Sequence, residues 1–248
     1  MSSKSTIISI FVVFVIALML AEGEPEPLAP WSYSEDEGPA KWAELDERYA
    51  MCENGLNQSP INITNAIDAT LAPLKFEGNS KATEFANTGN GVKVSISGGN
   101  KLTVDGEEYT LRQIHFHTPS ENTIDGKSFP MEAHLVHAKG SSLAVVAVMF
   151  EEGSDNLVLN KLLRNLPENE GDKNELKSDV EGYEILPANQ EYYRFNGSLT
   201  TPPCSEGVKW LVLKTPVQLS KSQLGDFEAV MGQNNRPVQA INARTILK

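Results

Sequence analysis

The sequence predicts one mostly-β domain with short peripheral helices, and three observations predict it. Apolar and polar residues alternate through several runs between Gly91 and His117. The run Leu143–Phe150 is apolar without a break. Only two stretches carry helical spacing. Alternation marks strands with one buried face, and an unbroken apolar run suits a central strand buried on both. With 40% hydrophobic residues in 248, one large domain has ample core. No internal repeat or linker divides the chain.

Taken in order, the first element is an address. Ile7–Leu20 is apolar apart from Ser9, follows Lys4 and precedes Ala21-Glu22-Gly23. It is too short to span a bilayer, so residues 1–23 read as a secretory signal peptide. The chain is then secreted or periplasmic, with no stable membrane insertion once the signal is removed. Residues 24–30 (EPEPLAP) read as a polar, flexible lead-in with no reason to pack, and 31–248 as the single domain. Strands follow at 91–97 and 101–104, with Asp105-Gly106 as a two-residue hairpin turn. Further strands are expected at Glu108–His117, Met131–Ala138, Leu143–Phe150 and Trp210–Lys214. Leucine spacing predicts a helix over Asn156–Leu166. Ser220 with Gln223 forms a capping box that opens another, ending near Met231.

Charge narrows the partners. Lys and Arg number 21 against 33 Asp and Glu, a net charge of −12. A nucleic acid or an anionic membrane needs a basic footprint, which this chain lacks. The acidic stretch Glu168–Asp179 reads as a solvated loop. Asn57, Asn62 and Asn196 head glycosylation sequons, which read as chance matches. Cys52 and Cys204 are an even pair in an exported chain. Oxidised, they would close a 152-residue loop, worth about 5 kcal/mol as an upper figure. Two free buried thiols are the alternative.

The chemistry concentrates in the histidines. All four lie between positions 115 and 137: His115, His117, His134 and His137. Side chains alternate along a strand, so His115 and His117 share a face. On the next strand His134 shares a face with Glu132 and Val136, whereas His137 points the other way. Three imidazoles can converge while the fourth stays structural. Three neutral nitrogens with one open position describe a catalytic zinc site. Gln113 and Glu132, each two residues before a ligand, can accept the outer ring N–H and set its tautomer. The spacing His115-x-His117-x3-Glu121 also matches the core of the cupin metal motif, with Glu121 as a ligand. That motif needs glycine at positions 109 and 132, where Tyr109 and Glu132 stand.

Four longer stretches carry a resemblance: Gln58–Ile63, Gln113–Glu121, Glu132–His137 and Gly197–Cys204. With Trp31-Ser32-Tyr33, Gly38-Pro39, Trp42 and Asn235-Arg236-Pro237, they resemble the α-class carbonic anhydrases from about Trp31 to the end. Thr118-Pro119, the short span to the third ligand and the two cysteines are most similar to the secreted bacterial branch.

The resemblance implies a central twisted, largely antiparallel β-sheet and reversible hydration of CO₂ to bicarbonate and a proton. It makes His115, His117 and His134 the Zn²⁺ ligands, with hydroxide in the fourth place. Thr200 would accept a hydrogen bond from the hydroxide and donate its own to Glu121, which is then not a ligand. Val136, Val145, Leu199, Val208 and Trp210 would wall the substrate pocket, with Thr201 beside it. Tyr33 and Asn90 would order cleft water, and Cys52 and Cys204 would form the family's secreted-type disulfide. The fastest members carry a shuttle histidine where this chain has Asn90, so proton exit is expected by water, buffer or a cleft carboxylate. CO₂ and bicarbonate are the expected partners, and a homodimer is left open.

Overall fold

The computed structural model describes residues 26–34, 36–176 and 180–248. Residues 1–23, read above as a signal peptide, lie outside them. The described chain runs through α1 (Trp42–Leu45), a 3₁₀ turn (Glu47–Tyr49), α2 (Met51–Asn54), β1 (Asn62–Ile63), β2 (Lys75–Glu77) and β3 (Ala82–Asn87). It continues through β4 (Val92–Ile96), β5 (Lys101–Val104), β6 (Glu107–His117), β7 (Thr123–Ile124), β8 (Met131–Lys139) and β9 (Ser142–Glu152). The last elements are α3 (Leu157–Leu163), β10 (Lys173–Glu175), β11 (Tyr192–Ser198), β12 (Glu206–Leu213), β13 (Val217–Leu219) and α4 (Lys221–Met231).

Eleven strands form one sheet, in the order β10-β3-β4-β6-β8-β9-β12-β11 with β5, β2 and β13 branching from it, and β1 and β7 pair in parallel as a separate two-stranded sheet. Most pairs are antiparallel, but β9 pairs in parallel with both β12 and β13, so the sheet is mixed. The β5–β6 hairpin turns at Asp105 and Gly106, whose φ angles of 54° and 76° are those a two-residue turn with right-handed strand twist requires. Asn156 caps α3 by accepting from the Val158 and Leu159 N–H groups, and the Ser220–Gln223 capping box closes on α4.

The unbroken apolar run becomes β9, whose side chains enter two cores alternately. Ala144, Val146, Val148 and Phe150 join the larger core on one face of the sheet. Val145, Ala147 and Met149 join a second cluster with Phe195, Val208 and Trp210 on the other. A third cluster holds Trp42, Tyr49 and the Cys52–Cys204 disulfide. That bridge joins α2 to the loop after β11.

Residues 26–30 differ from the expectation. They dock on the domain: Arg48 donates to the Glu26 and Pro27 carbonyls at 2.8 and 3.0 Å. Asp46 accepts from the Ala29 N–H, and the Tyr49 hydroxyl donates to the Ala29 carbonyl. A proline-rich stretch lacks donors but keeps its carbonyls, and those are what Arg48 and Tyr49 bind. Two sequon serines are also committed structurally. Ser59 and Ser198 are buried and each bonds the other's backbone N–H.

Candidate metal centre

Strands β6 and β8 pair so that His115 lies opposite His134, and His117 opposite Glu132. Opposed residues on an antiparallel pair share a face with Cβ atoms about 5 Å apart, which brings three imidazoles together. One nitrogen from each of His115, His117 and His134 lies within 4.8 Å of the others. The remaining nitrogens are all taken by protein oxygens. His115 Nδ1 donates to Gln113 Oε1 at 2.9 Å, and His134 Nε2 to Glu132 Oε1 at 2.9 Å. His117 Nδ1 donates to the Asn234 carbonyl at 2.8 Å.

These contacts leave His115 Nε2, His117 Nε2 and His134 Nδ1 aimed at one point. His134 Nδ1 and His115 Nε2 are 3.2 Å apart, and His117 Nε2 is buried with no partner. Burial holds all three imidazoles below their ordinary pKa, well below for His115 and His134. They are therefore neutral near pH 7, as metal ligands must be. An orphaned buried nitrogen beside two others fits a bound divalent ion, and three imidazoles fit zinc.

Two buried carboxylates back the cluster. Glu132 Oε2 accepts from the Glu121 and Asn122 N–H groups, both at 2.8 Å, so one side chain orients both a ligand and the segment bearing Glu121. Glu121 Oε1 accepts from the Arg236 N–H at 2.8 Å. Its Oε2 lies 3.4 Å from His117 Nε2 and has no hydrogen-bond donor. Burial raises the Glu121 pKa well above the carboxylate range, and contacts from the Thr200 hydroxyl and the Arg236 N–H work against that rise. The Arg236 guanidinium is itself buried on neutral oxygens, those of Gln58, Ser59 and Cys52.

A profile of eukaryotic-type carbonic anhydrases matches residues 37–248. The chain belongs to the α-carbonic anhydrase family. A carbonic anhydrase of Pectobacterium atrosepticum is 42% identical over 94% of this chain and 98% of its own length. One from Klebsiella pneumoniae is 44% identical over 88% of this chain and 90% of its own. The α-carbonic anhydrase of Thermovibrio ammonificans, solved with the inhibitor sulfanilamide, superposes with a TM-score of 0.87 at 46% identity, covering 89% of this chain and 99% of that one. This chain is thus a carbonic anhydrase, in a family that is generally zinc-dependent and acts in CO₂ hydration. The open 11-stranded sheet also excludes the cupin alternative, whose barrel is built from two packed sheets.

Beside the cluster is a cleft of about 240 Å³ whose lining includes Trp31, Tyr33, Asn90, Lys93, His115 and Thr201. Tyr33 brings a hydroxyl without a partner, its pKa pushed up by burial and by Glu121. Asn90 Nδ2 donates to the Trp31 carbonyl at 3.0 Å. The five residues expected to wall the substrate pocket sit on the other side of the cluster. Val145, Val208 and Trp210 are buried in the second cluster, with Val136 and Leu199 packed against it, and none of the five lines this cleft. The wall still adjoins the cluster, because the Trp210 ring meets His134 edge-on at 4.9 Å. Thr200 is buried in the loop after β11.

Sequence reasoning missed three groups here. The Asn234 carbonyl and the Arg236 N–H are backbone atoms, which no residue type announces. Lys93 was legible as an outward residue of an alternating strand, but its neighbour depends on register.

Proposed function

We propose that this carbonic anhydrase binds one Zn²⁺ through His115, His117 and His134 and hydrates CO₂ reversibly to bicarbonate and a proton. The observation that carries the reading is the trio of neutral nitrogens whose outer partners are Gln113, Asn234 and Glu132. When bound, zinc supplies Lewis acidity, lowering a water's pKa to about 7 and so providing a nucleophile at neutral pH. Thr200 would donate a hydrogen bond to Glu121, which would leave its own oxygen free to accept one from the attacking group and orient it toward CO₂. Glu132 supports that arrangement by holding the Glu121 backbone N–H. The apolar wall of Val136, Val145, Leu199, Val208 and Trp210, with Thr201 beside it, excludes competing water from a substrate that is itself apolar.

Proton exit runs through water and external buffer. Asn90 cannot titrate, and no Asp or Glu is among the described residues that line the cleft. Tyr33 and Asn90 hold cleft water. The apolar segment Ile7–Leu20 and the Cys52–Cys204 disulfide support export to the periplasm or medium. No helix among the described residues is long and apolar enough to cross a membrane.

Stopped-flow CO₂ hydration with and without a chelator, across buffer concentrations, tests the reading. The purified protein carries one zinc, loses activity with it, and gains kcat as an imidazole-type buffer is raised. Metal-free protein of undiminished activity overturns the zinc assignment, and a kcat indifferent to buffer overturns the proton route.

A further inference from the structure

The cleft carries one charge that neither metal binding nor the Thr200–Glu121 pair uses. Register places Ala86, Lys93, His115, His134 and Ala147 in a single row across β3, β4, β6, β8 and β9. Partners across these antiparallel pairs share a face, so Lys93 stands beside the ligand His115. Its alternating neighbours Val92, Val94 and Ile96 belong to the core on the opposite face. Lys93 is half-buried and lines the cleft, and its ammonium makes no hydrogen bond or ion pair with any described residue. It is the one formally charged side chain among the described residues that line the cleft.

A half-buried ammonium without a counter-ion is an unspent charge. Structural lysines in this protein pair with acids: Lys209 and Lys139 both reach Glu107 at 2.9 Å. Lys93 does not. Its setting is also unusual, since the whole chain carries −12 and repels anions at long range. We propose that Lys93 is a specificity-determining residue that makes this cleft take up small monovalent anions, bicarbonate among them. The anion is held beside the metal centre by a cation on the neighbouring strand. CO₂ is neutral and gains nothing from that charge.

This rests on the carbonic anhydrase reading above, and it assigns the recognition of the charged partner in that reaction. The CO₂–bicarbonate equilibrium fixes the ratio of kcat/KM in the two directions. The contribution of Lys93 therefore appears as anion affinity and as the KM for bicarbonate, not as a bias of direction.

The test titrates thiocyanate into Co²⁺-substituted wild type, Lys93→Gln, Lys93→Glu and Lys93→Arg, following the metal's visible absorption, with zinc-enzyme inhibition measured in parallel. Lys93→Gln weakens thiocyanate about five-fold and Lys93→Glu about ten-fold or more, while Lys93→Arg stays within about two-fold. The wild-type advantage shrinks as ionic strength rises. Thiocyanate affinity in Lys93→Gln equal to wild type overturns the inference, and this variant suffices if Lys93→Glu does not fold. A wild type that binds no metal and hydrates no CO₂ strikes the parent reading instead, so the two failures are distinct.

Discussion

Strand β8 carries two histidines three residues apart, and the structure gives them opposite fates. His134 and His137 are both buried, and burial keeps both neutral near pH 7. On the cleft face, His134 has one nitrogen on Glu132 and the other beside His115. On the core face, His137 donates Nδ1 to the Leu135 carbonyl at 2.9 Å, and its Nε2 meets the Tyr183 hydroxyl at 3.2 Å. Neither burial nor residue type separates them. A ligand keeps one nitrogen turned to the other imidazoles and away from any protein hydrogen-bonding oxygen, and a structural histidine has both nitrogens on oxygens.

Three experiments break or sharpen this contrast. His134→Ala removes a ligand. Zinc then falls below one per chain and CO₂ hydration drops on the order of a thousand-fold or more, beyond what an outer partner controls. His137→Asn keeps the metal and its activity; loss of zinc in that variant would erase the distinction. Glu132→Gln is the intermediate case. It replaces the carboxylate behind His134 with an amide, so zinc affinity in a chelator competition weakens about 10- to 100-fold. Unchanged affinity would show that the carboxylate does no more than the carbonyl behind His137.

The smallest effect lies in stability. Burial holds His137 at about 4, below the ordinary 6.5. The unfolded chain takes up this proton as pH falls through about 6.5, whereas the folded chain resists until about 4. The His137 contribution is therefore complete above pH 6.5 and is lost as pH falls toward 4, by about 3 kcal/mol at most. Urea unfolding of zinc-loaded protein across this window shows a shallower pH slope in His137→Asn. Parallel slopes would mean that burial does not hold His137 neutral.

The same contrast explains what was legible beforehand. Strands β4, β5, β6, β8 and β9 follow alternation or a continuous apolar run, because each buries one face or both. Strands β3 and β11 left weaker patterns. In β3, Phe85, Ala86 and Asn87 are buried in succession, and β11 interrupts its apolar positions with Arg194, Asn196 and Gly197. Their pairing comes from β4, β10 and β12, not from their own periodicity. Residues 26–30 were misjudged for a related reason: the partners of their carbonyls, Arg48 and Tyr49, lie about twenty positions along the chain.

Local sequence determined the kind of chemistry: three imidazoles on two strands, His137 excluded from their face, and Gln113 and Glu132 behind two of them. It could do so because a strand's period of two is set by covalent geometry within a few residues. Tertiary structure alone decided that His115 faces His134, that Lys93 stands on the other side of His115, and that Asn234 and Arg236 reach His117 and Glu121. Those choices depend on register and on backbone N–H and C=O groups brought from more than a hundred residues away, and every residue carries the same backbone groups.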